Sequence, residues 1–253
     1  MENIMSGVKN VVYDLDDTLI DAERVKWFFR QLAVRHGFTE KQAQEIYKQA
    51  RNEEDGKIAI TDERFLQFLE ETLGRQGKQL DNEIVEEVFS EVEKEKEKLL
   101  FPGAVELIEF CKQQKIENSL LSLGVKEWQK KKMGWVGLDK FFNDKNTVFT
   151  VEESGGKREA LQKLFGKDFA GKGVVLFNDR PDESGELLDA FPGLKIFVRR
   201  DTGDTRHNEE VWDGFMKKYE GRAVVATDLR GLLEKFKEYV ESKECRSGDS
   251  CRR

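Results

Sequence analysis

Short apolar runs typical of β-strands alternate with amphipathic helical patterns over most of this 253-residue chain. The strand-like runs are GVKNVVYD (7–14), IENSLLSL (116–123), NTVFTVEE (146–153), GKGVVLFND (171–179), LKIFVRR (194–200) and RAVVATD (222–228). Several are almost continuously apolar, as a strand buried on both faces must be. The helical patterns between and after them include AVELIEFCKQQK (104–115), KREALQKLFG (157–166), SGELLDAF (184–191) and GLLEKFKEYVESK (231–243). The alternation predicts an α/β fold, with a Rossmann-like parallel sheet and helices on both of its faces.

The interval from residue 22 to residue 100 breaks the alternation, because it contains helical patterns and no convincing strand. These patterns are ERVKWFFRQLAVRHG, TEKQAQEIYKQARNE, TDERFLQFLEETLG and DNEIVEEVFSEVEKEKEKLL. The segment Phe101-Pro102-Gly103 then ends the interval and starts the next helix. We predict a discontinuous core made of residues 1–21 and 101–240, with a helical domain inserted at 22–100. Segment 241–253 is predicted to be a disordered tail, because its last ten residues, ECRSGDSCRR, are polar and show no periodicity.

Charge and cysteine content narrow the class of protein. The net charge is −7 and no long basic block occurs, so nucleic acid is not expected as a partner, since binding to phosphate backbones needs clustered Lys and Arg. The apolar runs are too short to span a bilayer, and the N-terminal segment lacks the layout of a signal peptide. Cys111 lies in an apolar helical pattern typical of core, whereas Cys245 and Cys251 lie in the polar tail. We predict a cytoplasmic protein that binds no membrane, with the oligomeric state open between monomer and dimer.

Three carboxylates crowd the end of the first predicted strand. The apolar run Val11-Val12-Tyr13 leads directly into Asp14, Asp16 and Asp17. Like charges this close raise the free energy unless a cation or a chemical task compensates. Ligands of open parallel sheets bind beyond the carboxyl ends of the strands, which is where this cluster falls. The acid cluster therefore marks the predicted site.

Polar residues also follow three later strands. Ser122 closes the run NSLLS, and Lys157 begins a helix after the third strand. Asp179 follows the run VVLF, with Asp182 and Glu183 close behind it. Because the strands are predicted to be parallel, these residues are expected at the same edge of the sheet as the first acid cluster.

An acid pair, a hydroxyl, a cation and a second acid at one sheet edge fit phosphoryl transfer through an aspartyl intermediate. A carboxylate attacks phosphorus only if the repulsion between the two anions is relieved. Mg²⁺ held by Asp14 and Asp179 would relieve it, since Mg²⁺ prefers hard oxygen ligands. Asp16 would protonate the leaving oxygen and later take a proton from water. Ser122 would donate a hydrogen bond to a phosphoryl oxygen, and Lys157 would offset the negative charge.

The chain resembles the haloacid dehalogenase superfamily of phosphohydrolases, specifically the members with a helical cap inserted after the first motif. The family's first motif, Asp-x-Asp-x-Thr-Leu after an apolar strand, matches residues 14–19. Ser122, Lys157 and Asp179 match the second, third and fourth motifs. The resemblance extends from Val8 to about residue 233 and therefore covers most of the chain.

This resemblance implies a Mg²⁺-dependent phosphatase that acts on a small phosphorylated metabolite through an aspartyl-phosphate intermediate. The implied phosphate-binding residues are Ser122, Lys157 and Thr18. The implied metal ligands are Asp14, Asp16 and Asp179. A phosphomutase of the same superfamily, which returns the phosphoryl group to its substrate, stays an alternative. A dehalogenase is disfavoured, because carbon–halogen cleavage needs neither the acid at position 16 nor a metal. A non-catalytic binding module is less favoured still, because every catalytic position is filled.

Several positions depart from the family pattern. Asn178 stands where the fourth motif usually has Gly, a mild change because Asn tolerates positive φ. The second acid of that motif is either Asp182 or Glu183, and the family spacing favours Glu183. Leu123 and Gly124 follow Ser122 where many relatives place Asn. Arg158 replaces a Pro that is common after the lysine.

Other candidates carry weaker signals. Trp27, just past the first motif, is a weak candidate for a substrate contact from the insertion. The run Lys130–Lys132 is interpreted as a solvated helix face, with attraction of an anionic substrate as the alternative. His36 and His207 fit no motif, which disfavours a zinc or histidine-dependent phosphatase.

Overall fold

The computed structural model describes residues 7–54, 57–150 and 156–247 of the protein. The strands are β1 (Asn10–Tyr13), β2 (Asn52–Glu54), β3 (Lys57–Ala59), β4 (Glu117–Ser122), β5 (Thr147–Phe149), β6 (Val174–Asn178), β7 (Lys195–Arg199) and β8 (Ala223–Ala226). The helices are α1 (Ala22–Arg35), α2 (Glu40–Ala50), α3 (Asp62–Gly74), α4 (Asn82–Glu95), α5 (Ala104–Gln113), α6 (Lys126–Trp135), α7 (Gly156–Phe165), α8 (Pro181–Ala190), α9 (Glu209–Lys218) and α10 (Leu229–Ser247). A short 3₁₀ turn, Lys96–Lys98, follows α4.

Six strands form one parallel sheet in the order β5-β4-β1-β6-β7-β8, which confirms the predicted α/β class. The chain builds outward from β1 through β4 to β5, then crosses back to β6 and continues to β8. β1 therefore lies at the point where the strand order reverses, between β4 and β6. This is the position at which open α/β sheets bind their ligands, at the carboxyl ends of the strands.

The side chains of β1 alternate between two apolar layers, one on each face of the sheet. Val11 and Tyr13 belong to the layer that includes Phe177 and Phe236. Val12 belongs to the opposite layer, with residues of α7, α8 and α9. All three strand residues are fully buried. Burial on both faces explains why the sequence of this strand is continuously apolar.

The insertion between β1 and α5 is mainly helical and contains α1 to α4. Side-chain caps begin its helices, and Thr39 forms a complete capping box with Gln42 at the start of α2. His36 joins the end of α1 to the start of α4. Its Nδ1–H donates to the carbonyl of Leu32 at 2.6 Å, and its Nε2 accepts from the backbone N–H of Asp81 at 2.9 Å. This histidine is a structural link within the insertion.

Three local features differ from the expectations. The insertion also contains the short antiparallel pair β2–β3, which has too little apolar alternation for detection from sequence. Helices α6 and α9 were not singled out by the pattern. The predicted disordered tail from residue 241 is wrong for 241–247, because α10 continues to Ser247 through residues that favour helix, such as Glu and Lys. Residues 248–253, including Cys251, lie outside the described residues.

Cys111 is buried in the core, as predicted, and accepts a hydrogen bond from the hydroxyl of Tyr13 at 3.1 Å. Within the described residues, no helix combines the length and the apolar character that crossing a membrane requires.

Candidate active site

The loop after β1 places Asp14 at the centre of the sheet edge. The backbone N–H of Asp14 still bonds to the carbonyl of Phe177 in β6 at 2.9 Å. The chain then makes one tight turn, in which the N–H groups of Leu19 and Ile20 both donate to the carbonyl of Leu15 at 2.9 Å. Asp17 takes a positive φ of 58° within this turn, which Asp adopts more readily than most residues. The turn thus holds the acid cluster beside the strand ends.

Asp14 and Lys157 form a buried ion pair. Their Oδ1 and Nζ atoms are 2.8 Å apart, and both residues are less than one-tenth exposed. Lys157 also contacts Asn178 Oδ1 at 2.9 Å and Glu183 Oε2 at 2.5 Å. The ammonium therefore contacts groups from β1, β6 and α8 at once. The predicted first, third and fourth motifs meet at this side chain.

Two acids of the site, Asp14 and Asp179, carry raised pKa values. Burial raises the pKa of Asp14 to about 8, with Lys157 lowering it and the carboxylates of Asp179 and Glu183 raising it further. Burial likewise raises the pKa of Asp179 to about 6. Burial alone would lower the pKa of Lys157, but Asp14 and Glu183 outweigh it and the pKa is raised. Two cations, Lys157 and Arg206, face these carboxylates, and Arg206 lies 3.5 Å from Asp179. They do not compensate Asp14, Asp179 and Glu183 together, so the site favours a further cation.

The structure separates the two candidates for the second acid of the fourth motif. Glu183 turns toward Lys157 and also accepts from Asn178 Nδ2 at 3.2 Å. Asp182 instead forms an ion pair with Arg180 at the surface, at 2.5 Å. Glu183 is therefore the acid within the site. The side chain of Asn178, fully buried, also donates to Ser184 Oγ at 3.0 Å, a tie that Gly at this position would lack.

Thr18 does not reach the position expected of a phosphate contact. It is fully buried, and its hydroxyl donates to Asp14 Oδ2 at 3.3 Å. Because it lies beneath the acid, it is placed to orient the carboxylate of Asp14. Ser122, by contrast, lines the cavity over the site, as do Lys157 and Asp179.

A cavity of about 690 Å³ opens above these residues. Its walls include Asp14, Asp16, Ser122, Lys157, Asp179, Glu183 and Arg206 from the core and Lys26, Phe29, Tyr47 and Arg51 from the insertion. Trp27 is not among the lining residues, is 39% exposed and packs edge-on against Phe28 with ring centroids 5.0 Å apart. The neighbours of Trp27 on the same turn of α1, Lys26 and Phe29, line the cavity instead.

The lysine run on α6 is not a uniform solvated face. Lys130 is exposed and pairs with Asp144 at 2.7 Å. Lys131 forms an ion pair with Asp62 of the insertion. Lys132 is buried, lines the cavity and forms an ion pair with Asp16. The interpretation as a solvated face is wrong for Lys132, because α6 turns that position toward the loop after β1.

Sequence reasoning missed Gln129 and Arg206, and it interpreted Lys132 as part of a solvated helix face. Gln129 and Lys132 lie one helical turn apart on α6 and both contact Asp16. Arg206, in the loop after β7, lies 3.5 Å from Asp179. Their spacing from the motifs carries no recognisable signal, although Gly124 just before α6 is an indication of a close approach.

The donor set fits Mg²⁺. No group of three or more acidic, His or Cys side chains within the part of the chain that the structure describes is arranged to hold a metal by itself. Mg²⁺, however, commonly binds one or two carboxylates and completes its coordination with water and substrate phosphate. Asp14 and Asp179 are two incompletely compensated carboxylates that line the same cavity, and Asp179 raises the pKa of Asp14. They supply the oxygen ligands that such an ion takes from a protein.

A family model described as haloacid dehalogenase-like hydrolase matches residues 8–184, more than half of the chain. The protein therefore belongs to the haloacid dehalogenase-like hydrolases, as the resemblance of its motifs implied. A search of curated proteins found no match.

Solved structures share the fold along nearly the whole chain. A provisionally assigned β-phosphoglucomutase from Thermotoga maritima has a TM-score of 0.57 at 19% identity, covering 91% of this chain and 99% of its own. The L-2-haloacid dehalogenase from Xanthobacter autotrophicus has a TM-score of 0.53 at 13% identity, and the match covers 91% of this chain and 98% of the dehalogenase. The provisionally assigned hydrolase YfnB from Bacillus subtilis, bound to magnesium, has a TM-score of 0.53 at 19% identity, and the match covers 90% of this chain and 98% of YfnB. Identities this low establish a common fold only.

Proposed function

We propose that this protein is a Mg²⁺-dependent phosphatase that hydrolyses a small phosphorylated metabolite through phosphorylation of Asp14. The observation that carries the proposal is the buried Asp14–Lys157 pair, which lines a large cavity together with Asp179 and Ser122. This arrangement presents one carboxylate to an incoming phosphoryl group and supplies cationic and hydroxyl groups for its charge.

In the first step, a carboxylate oxygen of Asp14 attacks phosphorus, and the bond from phosphorus to the leaving oxygen breaks. Asp16 gives its proton to that oxygen as it departs. Lys157 and the hydroxyl of Ser122 stabilise the charge on the phosphoryl oxygens. Thr18 holds Asp14 in place by donating to its other oxygen.

In the second step, water attacks phosphorus and Asp16 accepts its proton. The bond between phosphorus and the Asp14 oxygen breaks, which releases inorganic phosphate and restores the carboxylate. Asp14 and Asp179 would hold Mg²⁺, which supplies Lewis-acid polarisation of the phosphoryl oxygens. Glu183 supports both steps indirectly, because it fixes the position of Lys157.

The substrate proposal rests on the size and lining of the cavity. A volume of about 690 Å³ suits a metabolite rather than a macromolecule. The insertion contributes one wall, so it is the natural source of contacts to the part of the substrate beyond the phosphate. Cationic Lys26 and Arg51 and aromatic Phe29 and Tyr47 stand on that wall.

The test is a panel of phosphorylated metabolites assayed for inorganic phosphate, with ³¹P NMR of the same mixtures. Released phosphate supports the phosphatase. Movement of the phosphate to another position of the substrate, without release, would show that the protein is a phosphomutase and not a phosphatase. A phosphomutase would share the first step, and its fold is represented among the similar structures. Halide release from a 2-haloacid without metal would refute both.

A further inference from the structure

Two buried side chains on α6 have no part in the mechanism above. Gln129 and Lys132 are 1% and 4% exposed and both line the cavity. They lie three residues apart and therefore on the same face of the helix. A buried lysine and a buried amide are costly unless their polar atoms are well partnered.

Both side chains hold the carboxylate of Asp16. Gln129 Nε2 donates to Asp16 Oδ2 at 2.9 Å, and Lys132 Nζ forms an ion pair with Asp16 Oδ1. Each carboxylate oxygen thus has its own donor from α6. Gln129 Nε2 also lies 2.8 Å from Ser122 Oγ and 2.5 Å from the carbonyl of Leu123. The amide therefore links Asp16 directly to the strand end that carries Ser122.

The local backbone makes room for this arrangement. Gly124 has a φ of +142°, and a Cβ built there would lie 2.5 Å from Gln129 Nε2. Only glycine leaves the amide in place. Gln129 Oε1 is buried and has no hydrogen-bond partner among the residues that the structure describes. The side chain is thus held by its donor contacts alone, although its acceptor is left unsatisfied.

We propose that Gln129 and Lys132 are positioning residues, which hold the side chain of Asp16 in the orientation that its proton transfers require. The ionised form, with both oxygens accepting from α6, takes the proton of water, and the protonated form gives that proton to the next leaving group. The inference rests on the proposed function, because it assigns these residues to the acid–base step. Asp16 lies within the tight turn after β1 and its side chain is partly exposed, so its own backbone does not fix its side chain. Two donors on one rigid helix face restrict it to one orientation.

The kinetic test compares two substrates that differ in their leaving group. Lys132→Met and Gln129→Leu should lower kcat on an alkyl phosphate by about tenfold to a hundredfold, because misplacing a catalytic group by about 1 Å costs this much. On p-nitrophenyl phosphate, whose leaving group needs little protonation, the loss should be far smaller. KM should change little on either substrate, and Lys132→Arg should restore part of the lost activity. Asp16→Asn should show the same leaving-group pattern.

Lys130→Met is the matched control, since it removes an exposed lysine from the same helix. Equal losses on both substrates, or a rise in KM alone, would contradict the positioning role and indicate a structural or substrate-binding one. Crystal structures of the Met variants provide a readout that needs no activity. Asp16 should be displaced or disordered with Lys132→Met and unchanged with Lys130→Met. An unmoved Asp16 in both would overturn the inference, whereas an inactive wild type would refute only the proposed function.

Discussion

Asp14 and Lys157 are both buried, and the carboxylate of Asp14 would be costly without the lysine. Removing Lys157 would leave that carboxylate uncompensated, which typically costs about 3–5 kcal/mol. Lys157 is shared between Asp14 and Glu183, so its charge is compensated even when Asp14 turns toward a phosphoryl group. The cation can therefore remain in place through both proposed steps.

Asp14→Asn should abolish turnover and leave the fold intact. An amide is a poor nucleophile and a poor metal ligand, so activity should fall by at least about a thousandfold. Burial and neighbouring carboxylates raise the pKa of Asp14, which means that its ionised form opposes folding above the unfolded pKa. Removing that charge should leave Tm in metal-free buffer equal to or above that of wild type. Activity near the wild-type level would remove Asp14 from the mechanism.

A matched pair of variants tests the assignment of the second acid. Glu183→Gln loses the ion pair with Lys157 and should lower activity or Mg²⁺ affinity by about 10- to 100-fold, as is usual for residues that orient a site. Asp182→Asn loses a surface pair with Arg180 and should stay within about twofold of wild type, since such pairs contribute little. The comparison is made by titrating Mg²⁺ against initial rate. The reverse ranking would show that Asp182 is the functional acid.

The motif residues could be predicted from sequence because each one ends a strand or begins a helix at a parallel-sheet edge. Asp14, Ser122, Lys157 and Asp179 all lie where the alternation of strands and helices places them. Thr18 was expected to contact phosphate, whereas its hydroxyl donates to Asp14, because a sequence does not show which side of a turn a hydroxyl faces.

At the scale of elements, α6 joins the core to the insertion. Trp128 packs against Phe29 of α1 with ring centroids 5.3 Å apart, and Lys131 pairs with Asp62 of α3. The same helix carries the two contacts to Asp16. Sequence reasoning could not anticipate this double role, because α6 has a weak apolar pattern and its contacts span more than sixty residues of chain.

The two connections to the insertion lie against each other. The N–H of Asp21 donates to the carbonyl of Leu99 at 2.8 Å, and the N–H of Phe101 donates to the carbonyl of Leu19 at 2.9 Å. Arg199 contacts both connections. Its Nε donates to the carbonyl of Asp17 at 2.7 Å, and its guanidinium lies 4.0 Å from the ring centre of Phe101. A paired two-strand connection of this kind suits a hinge for a mobile lid.

We expect the insertion to close over the cavity when the site is loaded. Mg²⁺ with beryllofluoride, a phosphate mimic, should slow amide exchange at residues 19–22 and 99–103, because closure excludes water from the site. Hydrogen-exchange mass spectrometry with and without the mimic measures this. Trp128→Ala, which weakens the contact with α1, should reduce the added protection. Unchanged exchange at both connections, with the mimic shown to be bound, would mean that the insertion is fixed.

At the scale of the whole molecule, the parallel sheet and its two apolar layers were predictable, because buried strands must be apolar throughout. Side-chain contacts between distant elements were not, since they depend on how each helix is rotated against the sheet. Gln129, Lys132 and Arg206 illustrate this. The end of α10 was predicted too early for a different reason. The apolar pattern stops at the buried Val240, but residues that favour helix continue to Ser247.

Metal selectivity is a property of the assembled site. Mg²⁺ should support activity and Ca²⁺ should inhibit it, because Ca²⁺ accepts more ligands at longer distances and would bind Asp14 in a bidentate manner that misaligns it. Initial rates in the presence of each ion, and in competition, measure the effect. Equal activation by both ions would show that the carboxylate geometry does not discriminate between them.

Locating the covalent intermediate tests the central claim most directly. The protein is mixed with Mg²⁺ and a substrate that it turns over, quenched in acid during the steady state, and digested for peptide mass spectrometry. The account predicts a phosphorylated peptide modified at Asp14, which is absent when EDTA replaces Mg²⁺ and absent in Asp14→Asn. Phosphorylation of a different residue, or full phosphate release in excess EDTA, would contradict it.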